Sequence, residues 1–213
     1  MTFQNKHTAT LVTLLIGFSL LSGCGTTGSE RAEKASTKME VVDGDIKAAV
    51  AQIDATNISL KNLINPEQLN TNEAFKNYSD NVDKMEKAGE RLIKHTDEMS
   101  ARGQDYFDEW RKQGDTYTNP QIRELSEQRR SDLSRVFRRI SESSIGVRGS
   151  FITYMSDIKE IKSYLTTDLT NKGIEAITPV SEKAINDGEN LKSAVIPVLS
   201  ALDNARSEMA QGQ

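Results

Sequence analysis

A seven-residue apolar repeat constrains this chain more than any other feature. From Asn119 to Asn171 the residues Leu133, Phe137, Ile140, Ser144, Val147, Phe151, Tyr154, Ile158, Ile161 and Leu165 step by four and three without a phase change. Only Ser144 among them is polar. A strict heptad keeps one seam on one face of a slightly underwound helix, whereas a strand would need alternation with period two. Asn119-Pro120 reads as an N-cap followed by proline at the first helical position. Asn171-Lys172-Gly173 reads as the stop, with Gly173 free to turn left-handed. One helix over this stretch would be roughly 75 Å long at ~1.5 Å per residue. A seam of that length needs partner helices.

The rest of the chain supplies them. A first helix is expected from about Ser29 to Ile64, with the seam Ala32, Ala35, Met39, Val42, Ile46, Ala49, Ile53, Thr56, Leu60 and Leu63. Asn65-Pro66 interrupts it, because proline disfavours helical geometry in the preceding residue. A second runs to about Gln113, with Asn70 and Glu73 resembling a capping box. Its seam includes Tyr78, Val82, Met85, Leu92, Thr96, Met99, Tyr106 and Trp110, and the seam glycines Gly89 and Gly103 mark close approach or a weak point. The last helix is expected to start at Thr178-Pro179, with the seam running on through Gly188, Val195, Val198 and Leu202 to Met209. Pro197 should kink it.

Short turns between long helices imply antiparallel neighbours. The expected fold is all-α, an elongated antiparallel four-helix bundle or coiled-coil-like rod. Folding about each turn pairs Trp110 with Arg123, Val82 with Phe151, Met39 with Met99, and Phe151 with Val198. On that reckoning the last helix ends near Ile140, leaving three helices at the end where the first helix begins.

Residues 1–23 read as an export leader, with Lys6 as a weak positive region and Ala9 to Leu21 as the apolar stretch. Leu21-Ser22-Gly23-Cys24 looks like the lipobox of bacterial lipoproteins, which makes Cys24 the lipidation residue. Cys24 is the only cysteine, so neither a disulfide nor a thiolate metal cluster is available. Residues 24–29 form the lipidated cysteine and a flexible tether, and residues 30–210 the helical domain. Gly25, in place of an aspartate, leans towards the outer membrane. The expected location is the bacterial envelope, lipid-anchored on the periplasmic face of that membrane. A mean hydropathy of −0.55 with 6% aromatics suits a thin, elongated core. A formal net charge of −4 gives no electrostatic footprint for nucleic acid.

Further along, Tyr106-Phe107-Asp108-Glu109-Trp110, Asn119-Pro120-Gln121-Ile122-Arg123, Ser126-Glu127-Gln128-Arg129-Arg130, Asp157-Ile158-Lys159 and Tyr164-Leu165-Thr166-Thr167-Asp168-Leu169-Thr170 resemble a bacterial envelope family filed as domain of unknown function 2959. Asn81-Val82-Asp83-Lys84 fits as well, and the similarity extends from about Lys34 to Met209. The resemblance implies an exported or lipidated, largely helical protein. It brings no activity and no catalytic residues.

Chemistry-bearing constellations are missing. His95 is the only histidine after the leader, and no zinc-protease motif, nucleophile elbow or phosphate loop occurs. Neither a catalytic site, a metal site nor a cofactor is expected. His95 beside Asp97 reads as a solvated surface residue. Arg123, Arg129, Arg130, Arg135, Arg138, Arg139 and Arg148 form an arginine-rich stretch with two readings. One is surface ion pairing, with Arg123–Glu127, Asp132–Arg135 and Arg138–Glu142 at helical spacing. The other is a patch of Tyr106, Trp110, Arg129, Arg135, Arg138 and Arg139 near the anchored end that faces the membrane or a protein partner. The leading functional reading is a non-enzymatic, lipid-anchored scaffold, spacer or adaptor. Its partners would be the membrane, through the lipid on Cys24, and an envelope protein, and the heptads also permit self-association. The alternative is a helical module that holds a lipid or amphipathic ligand between its helices, suggested by the seam residues Gly89, Gly103, Gly188, Met85, Met99 and Met209.

Overall fold

The structure, a computed structural model, describes residues 27–210. The leader and Cys24 lie outside the described residues. Within them the chain is helical, with no strand: α1 Gly28–Leu63, α2 Thr71–Asp115, α3 Pro120–Ser143, α4 Val147–Thr167, α5 Asn171–Ala194 and α6 Ile196–Ala210. No described helix is long and apolar enough to cross a membrane.

The first two helices form where the sequence places them. Helix α1 opens with a reciprocal cap: the Glu30 amide donates to Thr27 Oγ1 at 3.1 Å, and the Thr27 amide donates to Glu30 Oε2 at 2.8 Å. The cap starts the helix at Gly28, two residues inside the segment expected as tether. All ten expected α1 seam residues are buried. At α2 the Glu73 amide donates to Asn70 Oδ1 at 3.2 Å, as an N-cap should.

The expected single rod from Asn119 to Asn171 is two helices. The chain breaks at Ser144–Gly146, and Gly146 has φ 83°, a left-handed conformation that glycine adopts without a Cβ clash. Ser143, Ser144 and Ile145 are weak helix formers beside it. The break leaves the heptad phase intact, since Leu133, Ile140, Phe151, Tyr154, Ile158, Ile161 and Leu165 are all buried. Periodicity alone therefore passes straight through it.

The final turn also differs. Helix α5 begins at Asn171, not Thr178, and Pro179 lies inside it. The cap is Thr170, whose Oγ1 accepts the Gly173 amide at 3.1 Å and donates to Asp168 Oδ1 at 2.6 Å. Gly173 does not stop a helix. A Cβ there would sit 2.4 Å from the Asp168 carbonyl oxygen, so it is glycine because the turn is tight. Pro197 interrupts the last arm as expected, and α5 gives way to α6 at Val195.

Cross-helix pairs set the neighbours. Lys38 meets Glu98 at 2.6 Å, Asp45 meets His95 at 2.5 Å and Gln52 meets Asn81 at 3.2 Å, so numbers rise on α1 as they fall on α2. The expected pairing of Met39 with Met99 agrees. Phe151 faces Gly89 instead of Val82, one heptad away and so on the same face. Because the last turn comes earlier than expected, α6 reaches further: Arg129 pairs with Glu208 (3.6 Å) and donates to its carbonyl at 3.0 Å. The last helix therefore runs past Ile140 to the level of Arg129.

A buried polar node ties α1 to α4 and α5. Asn57, 5% exposed, accepts from the Tyr154 hydroxyl at 3.0 Å and donates to the Ile185 carbonyl at 3.1 Å and to Glu189 Oε1 at 3.2 Å. Burial pushes the Tyr154 hydroxyl well above the ordinary tyrosine range, and the Tyr78 hydroxyl likewise. Both stay neutral donors, Tyr78 to the Ile158 carbonyl at 2.7 Å. Gly188 makes room for the node, since a Cβ there would lie 2.7 Å from Asn57 Nδ2.

Two changes test this packing. Asn57→Ala strands the Tyr154 hydroxyl and should lower unfolding free energy by about 1–3 kcal/mol in urea. Gly44 is exposed with nothing within 4 Å of an added Cβ, whereas a Cβ on Gly103 would fall 2.1 Å from Phe137 Cζ. Gly44→Ala should therefore raise stability by up to about 1 kcal/mol. Gly103→Ala should lower it by about 1–3 kcal/mol despite the same gain in helix propensity.

Candidate functional site: a cavity at the waist

Two buried clusters make up the core. One gathers Ala32 to Ile46 of α1 with Met99, Tyr106, Leu133, Ile140 and α6. The other gathers Ala49 to Leu63 with Tyr78, Val82, Met85, Phe151 to Leu165 and Leu191. They meet at a waist where the packing is incomplete. On α2 no residue between Gly89 and Met99 is fully buried, and the seam positions Leu92 and Thr96 are only half covered.

Both helix breaks fall at this waist. Asp157 meets Lys183 across α4 and α5 at 3.4 Å. Asp157 lies as many residues after Ile145 as Lys183 lies before Val195, so the two breaks share one level. Each break interrupts the helical path without interrupting the seam, and the seam residues Ala49, Thr96, Ser144 and Val147 at this level are small or short. The result is a cavity of about 600 Å³, inside the size range of small-molecule sites.

Its walls are unequal. Helix α1 contributes Val42, Ile46, Ala49, Val50 and Ile53, and the α5–α6 arm contributes Leu191, Val195 and Val198. All eight are apolar. Every polar lining residue comes from the other side: Thr96, Asp97, Ser100 and Gln104 on α2, and Ser134, Arg138, Ser141, Ser144 and Arg148 on α3 and α4. The cavity thus has a wholly apolar floor and, between α2 and the α3–α4 arm, a slit where these polar residues stand among apolar ones such as Leu92, Met99, Ile140 and Val147.

Two aromatic rings close the slit at its ends. Phe137 packs over Gly103 and Phe151 over Gly89, each so closely that a Cβ on the glycine would stand 2.1 or 2.6 Å from the ring. The glycines are two heptads apart on α2, about 21 Å along its axis. Between them the Asp97–Arg148 pair spans the slit at 3.7 Å, with both side chains largely exposed. Beyond Phe137 the edge-on pairs Phe107–Phe137, Tyr106–Phe107 and Tyr106–Trp110, at 5.7, 5.0 and 5.6 Å, carry an aromatic chain towards the α2–α3 turn.

The structure does not bring the six expected patch residues onto one face. Tyr106 is 8% exposed and faces the core. Trp110 is half-buried and donates to Ser126 Oγ at 2.9 Å. Arg129 is occupied by Glu208, and Arg135 pairs with Asp132 at 3.2 Å, as the surface-pairing reading expects. Arg123 donates to the Tyr117 carbonyl rather than to Glu127, which takes Arg130 instead. Arg139 faces α6 near Pro197 and Asn204. Arg138 lies at the cavity slit. His95 is half-buried against Asp45, not solvated beside Asp97. Cys24 lies outside the described residues, and no group of three potential metal ligands occurs among the described residues. Sequence reasoning missed the slit residues Asp97, Gln104, Ser134 and Ser141, which are off the seam. The usable signal was Thr96 and Ser144, the polar seam members of α2 and of the long repeat.

The family model described as "Protein of unknown function (DUF2959)" matches residues 26–206. The chain belongs to that family, as its motifs suggest. Neither a curated protein nor a solved structure matches it.

If the waist is underfilled, added apolar volume should be welcome there. Thr96→Leu puts a larger side chain into the cavity and a better helix former into α2. It should raise the melting temperature by a few degrees. A fall on thermal denaturation would mean that the side chains already close the space.

Proposed function

We propose that the chain is a non-enzymatic envelope protein, anchored through a lipid on Cys24, whose helices form an antiparallel bundle that holds an amphipathic ligand at its waist. The observation that carries the ligand reading is the one-sided polarity of the cavity. An apolar floor on α1 and the α5–α6 arm faces a polar slit on the opposite side, which is the lining a molecule with an apolar body and a polar end would need. The antiparallel arrangement is supported by the pairing of rising numbers on α1 with falling numbers on α2, and by Glu86–Lys159 and Asp83–Lys162 between α2 and α4. The anchor and the location rest on the lipobox resemblance.

Native mass spectrometry of the full chain extracted from its own membranes tests this. The expected result is a co-purifying amphiphile that is lost from Ala49→Phe, in which a phenyl ring fills the floor, while the circular dichroism spectrum stays helical. Recovery of the same amphiphile from both proteins would place it elsewhere and sink the reading.

A second reading, the scaffold or adaptor, is favoured by a different observation. Ile122 and Leu125 are 50% and 67% exposed on the first turns of α3, near the end of the molecule where α1 begins. A photo-crosslinking residue at Leu125 in living cells would capture a specific protein if this end docks a partner, and lipid if it rests on the bilayer.

A further inference from the structure

We propose that the waist ligand is a single-chain amphiphile with an anionic head, and that Arg138 and Arg148 hold that head at the slit. This rests on the reading of the cavity as a ligand site and specifies the ligand.

The charge at the slit is unbalanced. Three ionisable side chains line the cavity: Asp97, Arg138 and Arg148. Arg148 faces Asp97 at 3.7 Å, longer than a direct hydrogen bond. Arg138 pairs with no carboxylate among the described residues, and Glu142, its expected partner one turn on, pairs with no cation there either. One positive charge is therefore in excess at the mouth of an apolar cavity. A guanidinium presents its donors as a planar fork that matches a carboxylate or phosphate, and such charge-assisted pairs are the strong ones. Arg138 stands on α3 before the break at Gly146 and Arg148 on α4 after it, so both cations line the α3–α4 side of the slit. Both are exposed, so neither guanidinium is packed into the core.

The slit also limits the apolar part. Phe151 over Gly89 and Phe137 over Gly103 bracket an opening about 21 Å long. An acyl chain in one leaflet of a bilayer spans about 15 Å. One such chain fits lengthwise between the rings. The apolar floor receives the chain, and the polar side faces the head and water.

The test is a fluorescence titration of the full chain, held in an amphipathic polymer, with parinaric acid and with parinaryl alcohol, which share a chain and differ in the head. The acid should bind at least about tenfold more tightly than the alcohol, a difference of about 1.4 kcal/mol. In Arg138→Gln/Arg148→Gln the two should bind alike, with an unchanged melting temperature. Competition by oleate and by oleoyl lysophosphatidic acid then tells whether carboxylate or phosphate is preferred. Equal binding of acid and alcohol to the unmodified chain overturns the anionic head and leaves the cavity reading standing. Binding of neither probe overturns both. An acid preference that survives the double substitution overturns the assignment to these two arginines.

Discussion

At each end of the waist a glycine on α2 accepts a phenylalanine ring from the opposite arm, and much of the structure follows from those two contacts. Gly89 with Phe151 and Gly103 with Phe137 let α2 approach α3 and α4 more closely than any side chain would allow. They sit on continuous seams, so they fix the register of the α3–α4 arm on α2 without interrupting the hydrophobic face. Interiors pack to near-crystalline density, and a position with no Cβ is the simplest way to seat a ring against a backbone. Between the two rings no comparable contact draws the helices together.

That gap acquires volume because two independent interruptions meet it. Gly146 turns the third arm left-handed, and Pro197 lacks the amide that would continue α5 into α6. Either break alone would bend one helix around an intact core. Aligned, they bend two of the four walls at one level, and the facing walls offer only Ala49 and Thr96 there. The cluster built on Ala49 to Leu63 is then held by the Asn57 node and by Tyr78. The cluster built on Ala32 to Ile46 relies on the aromatic chain from Phe137 to Trp110 and on the Arg129 contact with α6. Each half has its own polar lock, so the waist can stay open without loosening either end.

The functional reading follows from the separation of apolar and polar walls. A cavity lined all round by leucine and valine would be a packing defect, and a wholly polar one would fill with water. Here the arginines stand only where the bundle opens. From Gly28 to Val42, the first α1 residue at the cavity, the first helix rises about 21 Å. In the proposed reading that distance would hold the slit away from the surface to which Cys24 would tie the chain. An amphiphile held at that height would be removed from a bilayer but kept close to it.

The number of arms, their faces and most of their ends were determined by the sequence itself. A heptad repeat survives any local bend, so the ten seam residues of α1 and the seam from Leu133 to Leu165 could be read residue by residue. So could the Asn70, Asn119 and Pro197 signals, because each acts on its own backbone. Three features were decided by tertiary structure. The break at Ser144–Gly146 preserves the heptad phase and so is silent in the periodicity. Helix α5 starts at Asn171 because Gly173 can lie against the Asp168 carbonyl, a close approach that favours Thr170 over Thr178-Pro179 as the cap. The cavity arises only when the breaks of different arms fall side by side. Local propensity acts over a few residues, but alignment of distant positions depends on turn placement, and a shift of a few residues in one turn moves everything after it.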